Sequence, residues 1–233
     1  NYNYWSSPVG PINGSTNNNN YTIASVMRDG TNPASPALIN WVSGYNGAPT
    51  SPINVARYWL WKFQNVSGVY ANWSQLLETT ALSPSQGYTM KGSGAATPKQ
   101  NYTFVGKPFN GTIINPISAN NLNLSGNPYS SAIDADKFID DNVASTTGII
   151  YYWEHSALNN THVLQGYQGG YAAYTKVGGT PPIAPAGISG LGGNTKIAKR
   201  FIPVGQGFFI CGSALGGNIT FNNSQRIFVK END

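Results

Sequence analysis

Apolar residues along this chain do not recur at helical spacing. Short runs rich in Tyr, Trp, Phe, Ile, Val and Thr alternate with clusters of Gly, Pro, Asn and Ser, roughly every 8–15 residues, as antiparallel strands joined by turns do. The pattern predicts strands over 3–7, 21–27, 56–64, 69–75, 87–91, 102–106, 111–114, 148–155, 171–176, 207–211, 218–222 and 226–229. Segments 28–53 and 177–197 hold much of the remaining Gly, Pro and Ser and read as long surface loops. One stretch departs from the rule. SSAIDADKFIDDN (130–142) sets Ile133, Phe138 and Ile139 at near-helical spacing behind Ser131, an acceptable N-cap, with Asp134 near the positive helix end, which predicts a short helix near 131–141. The expected fold is therefore all-β, an antiparallel β-sandwich of jelly-roll-like architecture.

The chain also repeats itself. LSPSQGYTMKG (82–92) and IPVGQGFFICG (202–212) share an apolar residue, Pro, a polar pair ending in Gly, an apolar run and a second Gly. Pro8 of YWSSPVG precedes Pro128 of SGNPYSS by the same 120 residues that separate Gly87 from Gly207. ARYWLWKF (56–63) answers GIIYYWEH (148–155), VYANWSQ (69–75) answers GYAAYTK (170–176), and NYTFVGKPFNGTI (101–113) answers NITFNNSQRIFV (218–229). Such a period is too long for a solenoid or propeller. It implies an ancient duplication within one compact β unit, with a first half over 1–118 and a second over 119–233. Pro84 and Pro203, which fix φ and lack an N–H, should stand just before strands, and Gly87 and Gly207 should permit a bend or a close backbone approach. Tyr88 with Met90, and Phe208 with Ile210, would then share a face.

Composition narrows the function. Charged residues make up 9% of the chain and the net charge is +4, so the surface is hydrated mainly by amides and hydroxyls, which suits an extracellular protein in variable salt. The basic residues are scattered; Lys196, Lys199 and Arg200 are too sparse to track phosphates, so nucleic acid is not an expected partner. No apolar stretch approaches a membrane span, so no membrane insertion is expected. Cys211 is the single cysteine and reads as a small buried hydrophobe. The abrupt start at NYNYW and the stop at KEND suggest a fragment of a longer protein. The sequons at 20–22, 65–67, 72–74, 101–103 and 110–112 say little in so Asn-rich a chain.

Candidate chemistry is thin. Glu78 and Glu154 are the two carboxylates near predicted core strands, but nothing in the sequence opposes them as glycoside hydrolysis requires. Two histidines, in WEHS (153–156) and NNTH (159–162), lack both a G-x-S-x-G turn and a third ligand at zinc spacing. The expected chain is not an enzyme and has no cofactor motif. Asp134, Asp136, Asp140 and Asp141 crowd within eight residues; they do not match an EF-hand loop, and calcium is the one metal they would take. Aromatic residues make up 12%, and in RYWLW and IIYYW some must face outward if their neighbours face in. Tyr58, Trp59, Trp61, Tyr151, Tyr152 and Trp153 are the candidate ligand-binding set, able to stack on sugars or on protein partners.

GNPYSSAIDADKFI, IYYWEH, GYAAYT, IPVGQGFFI and NITFNNSQRIFV, in that order, resemble a module of large secreted proteins of Flavobacteria and related Bacteroidota, found upstream of type IX secretion sorting domains. The resemblance is strong over 122–229 and looser over 1–115; Ser130 stands where the family usually has a second Pro, and the sorting domain is missing. It implies a secreted or bacterial cell-surface location and a non-catalytic, structural or adhesive β module. Expected partners are neighbouring domains of the same polypeptide or other surface proteins, with two alternatives: glycans bound by the outward aromatics, or copies of the chain joined edge to edge in a filament or array.

Overall fold

The computed structural model describes residues 2–95, 99–157, 159 and 161–230; Glu231 and Asp233 lie outside them. The fold is all-β, with strands in antiparallel sheets except for one parallel pair, Asn40–Val42 with Asn54–Ala56. Two sheets organise the rest. The amino-terminal sheet runs Tyr2–Trp5, Tyr88–Lys91, Trp61–Lys62, Ser74–Gln75, and the carboxy-terminal sheet runs Leu122–Gly126, Gly207–Gly212, Thr146–His155, Gly169–Thr175, Gly178–Gly179.

Their registers match at the 120-residue offset. Tyr2 pairs with Lys91 and Trp5 with Tyr88; Leu122 pairs with Cys211 and Ser125 with Phe208. The bridges that join the halves exchange in the same way: Trp5 meets Gln206, and Gln86 meets Ser125. Ser6 N–H donates to the Gly205 carbonyl at 2.8 Å, and Gly126 N–H donates to the Ser85 carbonyl at 3.0 Å.

The repeated Pro/Gly phrase makes these exchanges. Gln86 N–H closes a turn onto the Ser83 carbonyl and Gln206 N–H onto the Pro203 carbonyl, with Ser85 (φ 64) and Gly205 (φ 75) both left-handed. A Cβ on Gly87 would lie 2.6 Å from the Ser125 carbonyl oxygen, and one on Gly207 would lie 2.8 Å from the Trp5 nitrogen. Each glycine thus admits the first strand of the other half, and any side chain there would force the halves apart.

Alternation then sends side chains to two clusters. Tyr88, Met90, Phe208 and Ile210 enter the main core with Phe138 and Phe221. Tyr4, Phe63, Leu124 and Phe209 form a second cluster, against which Tyr2, Trp73, Tyr151, Trp153 and Tyr171 pack. Burying each such ring contributes about 1.5–3 kcal/mol. Amides also work inside the protein: buried Asn127 spreads its Nδ2 among the Ser131, Ile202 and Pro203 carbonyls and accepts from Tyr129 N–H.

Five expectations need correction. The helix α2 spans Ala135–Asp141 and its N-cap is Asp134, not Ser131. Residues Ala132–Asp134 are instead a strand held between Phe201–Ile202 and Arg226–Ile227, and ladder bonds outweigh the weaker helical signal. The predicted strand 56–64 is broken by a 3-10 turn at Arg57–Trp59, and 69–75 by another at Tyr70–Asn72. Segment 28–53 carries two short strands, Ala37–Leu38 and Asn40–Val42. Segment 21–27 opens on a bridge at Tyr21, then forms helix α1, Ile23–Val26.

The four clustered aspartates diverge. Asp134 receives Arg200 Nε and Nη2, both at 2.8 Å; Asp136 receives Tyr174 OH at 2.9 Å and Arg200 Nε at 3.1 Å. Asp140 pairs with Lys176, and Asp141 accepts from Asn222 and Gln225. Among the described residues no group of three or more His, Cys, Asp or Glu is placed to hold a metal ion. The Arg200 hydrogen bonds hold the Asp134 carboxyl below the ordinary carboxylate value of 3.8. Because the folded value is depressed, the pair's stabilisation is complete above the unfolded value and is lost as pH falls through the folded one. Urea midpoints should therefore drop as pH falls from about 4, and Asp134→Asn should flatten that drop; an unchanged slope in the variant would remove Asp134 from acid unfolding.

Candidate functional site

The two 3-10 turns that broke the predicted strands build one pocket. In an extended strand Tyr58 and Trp59 would point to opposite faces. The turn Arg57–Trp59, closed by Leu60 N–H on the Arg57 carbonyl at 3.1 Å, brings both to the same wall. Leu60, fully buried, anchors the turn, and Trp61 begins the next strand. The turn Tyr70–Asn72 is a second such element, and Tyr70 and Trp73 also line the pocket.

Thr89 ties this wall to the sheet. Its hydroxyl donates to the Trp59 carbonyl at 2.6 Å and accepts from Trp61 N–H at 3.1 Å, so one side chain does what a further ladder rung would do. Tyr2 lies at the base, near-parallel to Trp59 with centroids 6.2 Å apart and interplanar angle 22°. It also stacks on Trp153 and Tyr167 at 6.2 and 5.7 Å, joining the pocket to the second core cluster. Burial holds the Tyr2 phenol well above the ordinary tyrosine range, so it stays protonated.

Loop residues complete the rim. Tyr45 sits edge-on to Tyr58, centroids 4.6 Å apart, and its carbonyl accepts from Trp59 Nε1 at 2.7 Å. Lys91 reaches the same carbonyl at 3.1 Å, Asn46 Oδ1 at 2.7 Å and His162 Nε2 at 2.8 Å. An ammonium has only protons to give, so the imidazole nitrogen must accept and the ring is neutral. Desolvation, then the Lys91 charge, lowers the His162 pKa below 6.5, which keeps that ring neutral at pH 7.

The resulting pocket measures about 400 Å³, inside the ~300–1,000 Å³ range of small-ligand clefts. Among the described residues, seven of the eleven that line it are Tyr or Trp, and none is Asp, Glu, Lys or Arg. Among the described residues the phenols of Tyr45, Tyr58 and Tyr70, which are 52, 38 and 67% exposed, are taken up by no hydrogen bond. The site offers ring faces with polar rims, and its charge comes from Lys91 at the rim, whose Nζ lies 5.5 Å from the Trp59 ring centroid.

The candidate ligand set divides. Tyr58, Trp59 and Trp61 line the pocket. Tyr151, Tyr152 and Trp153 are not among the residues that line it: they belong to the ten-residue strand Thr146–His155, where all three are half-buried. Tyr152 packs on the main core against Phe208, whereas Tyr151 and Trp153 pack on the second cluster. Glu78 pairs with Arg57 at 3.0 Å and Glu154 accepts from Lys196 N–H; neither lines the pocket. His155 bonds to Asn3 at 3.1 Å. Tyr2, Tyr45, Tyr70, Trp73, Thr89 and His162 were not among the sequence candidates. Gly44 and Gly47 on either side of Tyr45 mark a presented loop tip, which is the signal that was there to be read.

The chain belongs to the family described as Domain of unknown function (DUF8693), which matches it over residues 1–233. No curated protein and no solved structure matches it. Among the described residues no helix is long and apolar enough to cross a membrane.

Proposed function

We propose that this member of the family is a carbohydrate-binding module of a secreted or cell-surface protein, holding a neutral sugar in the aromatic pocket and so serving adhesion. The single observation that carries this reading is the pocket itself: among the described residues it has Tyr and Trp walls, phenol groups at the rim that no hydrogen bond takes up, and no carboxylate or guanidinium in the lining. A pyranose presents an apolar C–H face to a ring and hydroxyls at its edge, which is what such a surface complements. A nucleic acid would need several cations along its backbone, and among the described residues Lys91 is the one at this rim. The low content of charged side chains and the resemblance of the sequence motifs to a module of secreted proteins support the location.

A glycan array of neutral oligosaccharides, followed by calorimetry, tests this directly. Trp59→Ala should weaken binding about thirtyfold, equivalent to the ~2 kcal/mol of a central aromatic anchor. Array silence for the folded chain would refute the reading, as would a Trp59→Ala variant that binds like the parent.

A further inference from the structure

A second pocket, of about 350 Å³, is also lined by Tyr58. Among the described residues Tyr58 alone lines both. The backbone crosses between them twice more: Gly44 lines the second pocket and Tyr45 the first, and Trp61 of the first is directly paired with Gln75 of the second. The two therefore adjoin along the Tyr45–Tyr58 edge-on pair.

Their chemistry differs in a complementary way. Where the first pocket offers rings, the second offers Ser43, Arg57, Gln75 and Thr80. The charge of Arg57 is already balanced: its Nη2 donates to Glu78 Oε1 at 3.0 Å and to the Trp41 carbonyl at 2.8 Å. Nη1 has no partner among the described residues. Gln75 spends only its Nε2, on the Tyr58 carbonyl at 3.3 Å, which leaves Oε1 to accept. The second pocket thus presents the Arg57 guanidinium as donor, the Gln75 amide oxygen as acceptor and the Ser43 and Thr80 hydroxyls as either, with the Arg57 charge balanced by Glu78. A ring-lined pocket beside a neutral hydrogen-bonding pocket matches two consecutive units of one ligand, the first stacked and the second held by its hydroxyls.

Resting on the carbohydrate reading of the aromatic pocket, we infer that the second pocket is a subsite for the adjoining sugar, so that the ligand is a neutral oligosaccharide running across Tyr58 and not a monosaccharide. Arg57 and Gln75 meet the hydroxyls of the second unit, and Tyr58 lies under the linkage.

The test is calorimetry on the full chain with glucose, cellobiose and cellotetraose, the matching mannose series, and a galacturonic acid tetramer as the charged comparison. The parent should gain at least tenfold in affinity from the monosaccharide to the tetrasaccharide. Ser43→Phe, which places a ring in the second pocket, and Gln75→Ala, on an exposed edge strand, should each cut that gain to below threefold; Gln75→Ala decides the matter if Ser43→Phe does not fold. Trp59→Ala should weaken every length together. A length gain that survives both pocket variants while Trp59→Ala abolishes binding overturns the subsite and leaves the carbohydrate reading intact. Absence of binding to every neutral sugar overturns that reading and the subsite with it, and preference for the galacturonic acid tetramer overturns the neutral assignment.

Discussion

Phe209→Ala should lower the free energy of unfolding by ~3–5 kcal/mol, the cost of deleting a well-packed ring and leaving its cavity. Phe209 is 5% exposed and sits mid-strand between Leu124 and Tyr151. Four rings meet it edge-on or nearly so: Tyr4 and Phe63 at 5.4 Å, Trp73 at 5.8 Å and Tyr171 at 6.0 Å. Tyr4 and Trp73 come from the first half and Tyr171 from the second, so one substitution removes contacts that cross between the halves. Those rings are too rigid to close over the gap, which places the effect at the upper part of the range. Urea unfolding followed by Trp fluorescence measures it. A loss below about 1.5 kcal/mol, the range of tolerated core swaps, would mean that the second aromatic cluster does not unfold with the main core.

What was legible in the sequence follows a physical divide. Strand content and the 120-residue correspondence were visible because they rest on local signals: Gly, Pro and alternation. The close approaches at Gly87 and Gly207 were visible for the same reason, since only a residue without Cβ fits there. Which aromatics face a ligand was not visible. RYWLW and IIYYW each hold three aromatics in five residues, yet the first contains a 3-10 turn and presents Tyr58 and Trp59 together, while the second continues a ten-residue strand whose aromatics pack on the two core clusters. Exposure depends on what packs above a side chain, and that is set by contacts distant in sequence. His162 and Tyr2 show it most clearly, because Lys91 and Trp59 bring them to a wall assembled from four separate segments.

The helix boundary failed for a related reason. Ser131 and Asp134 are both good caps, and the choice between them is made by partners about 70 and 95 residues away, Phe201–Ile202 and Arg226–Ile227, whose strands claim Ala132–Asp134. Local propensity proposed a helix of the right kind and long-range pairing moved its start.

Thr89→Phe should abolish sugar binding, and the comparison of the two sheets supplies the reason. Trp61 pairs with Thr89 in the first sheet, and Tyr151 pairs with Phe209 in the second; Thr89 and Phe209 stand at the same register, 120 residues apart. Around Phe209 the space is filled by its own ring. Around Thr89 a small side chain leaves a pocket of about 400 Å³ open. Site and filled counterpart therefore differ at one decisive position, and restoring the ring should occupy the space that the ligand needs. Thr89→Val isolates the cause: like Thr89→Phe it loses the hydroxyl that bonds the Trp59 carbonyl and Trp61 N–H, at ~1 kcal/mol for each bond, but it adds no ring. Overpacking adds ~1–3 kcal/mol of instability to the Phe variant, so both must be shown folded by circular dichroism before calorimetry. Affinity in Thr89→Phe should fall at least tenfold below that of Thr89→Val. Equal affinities in the two would show that the ligand does not enter beside Thr89, and would shift the site outward to the exposed rings of Tyr45, Tyr58 and Tyr70.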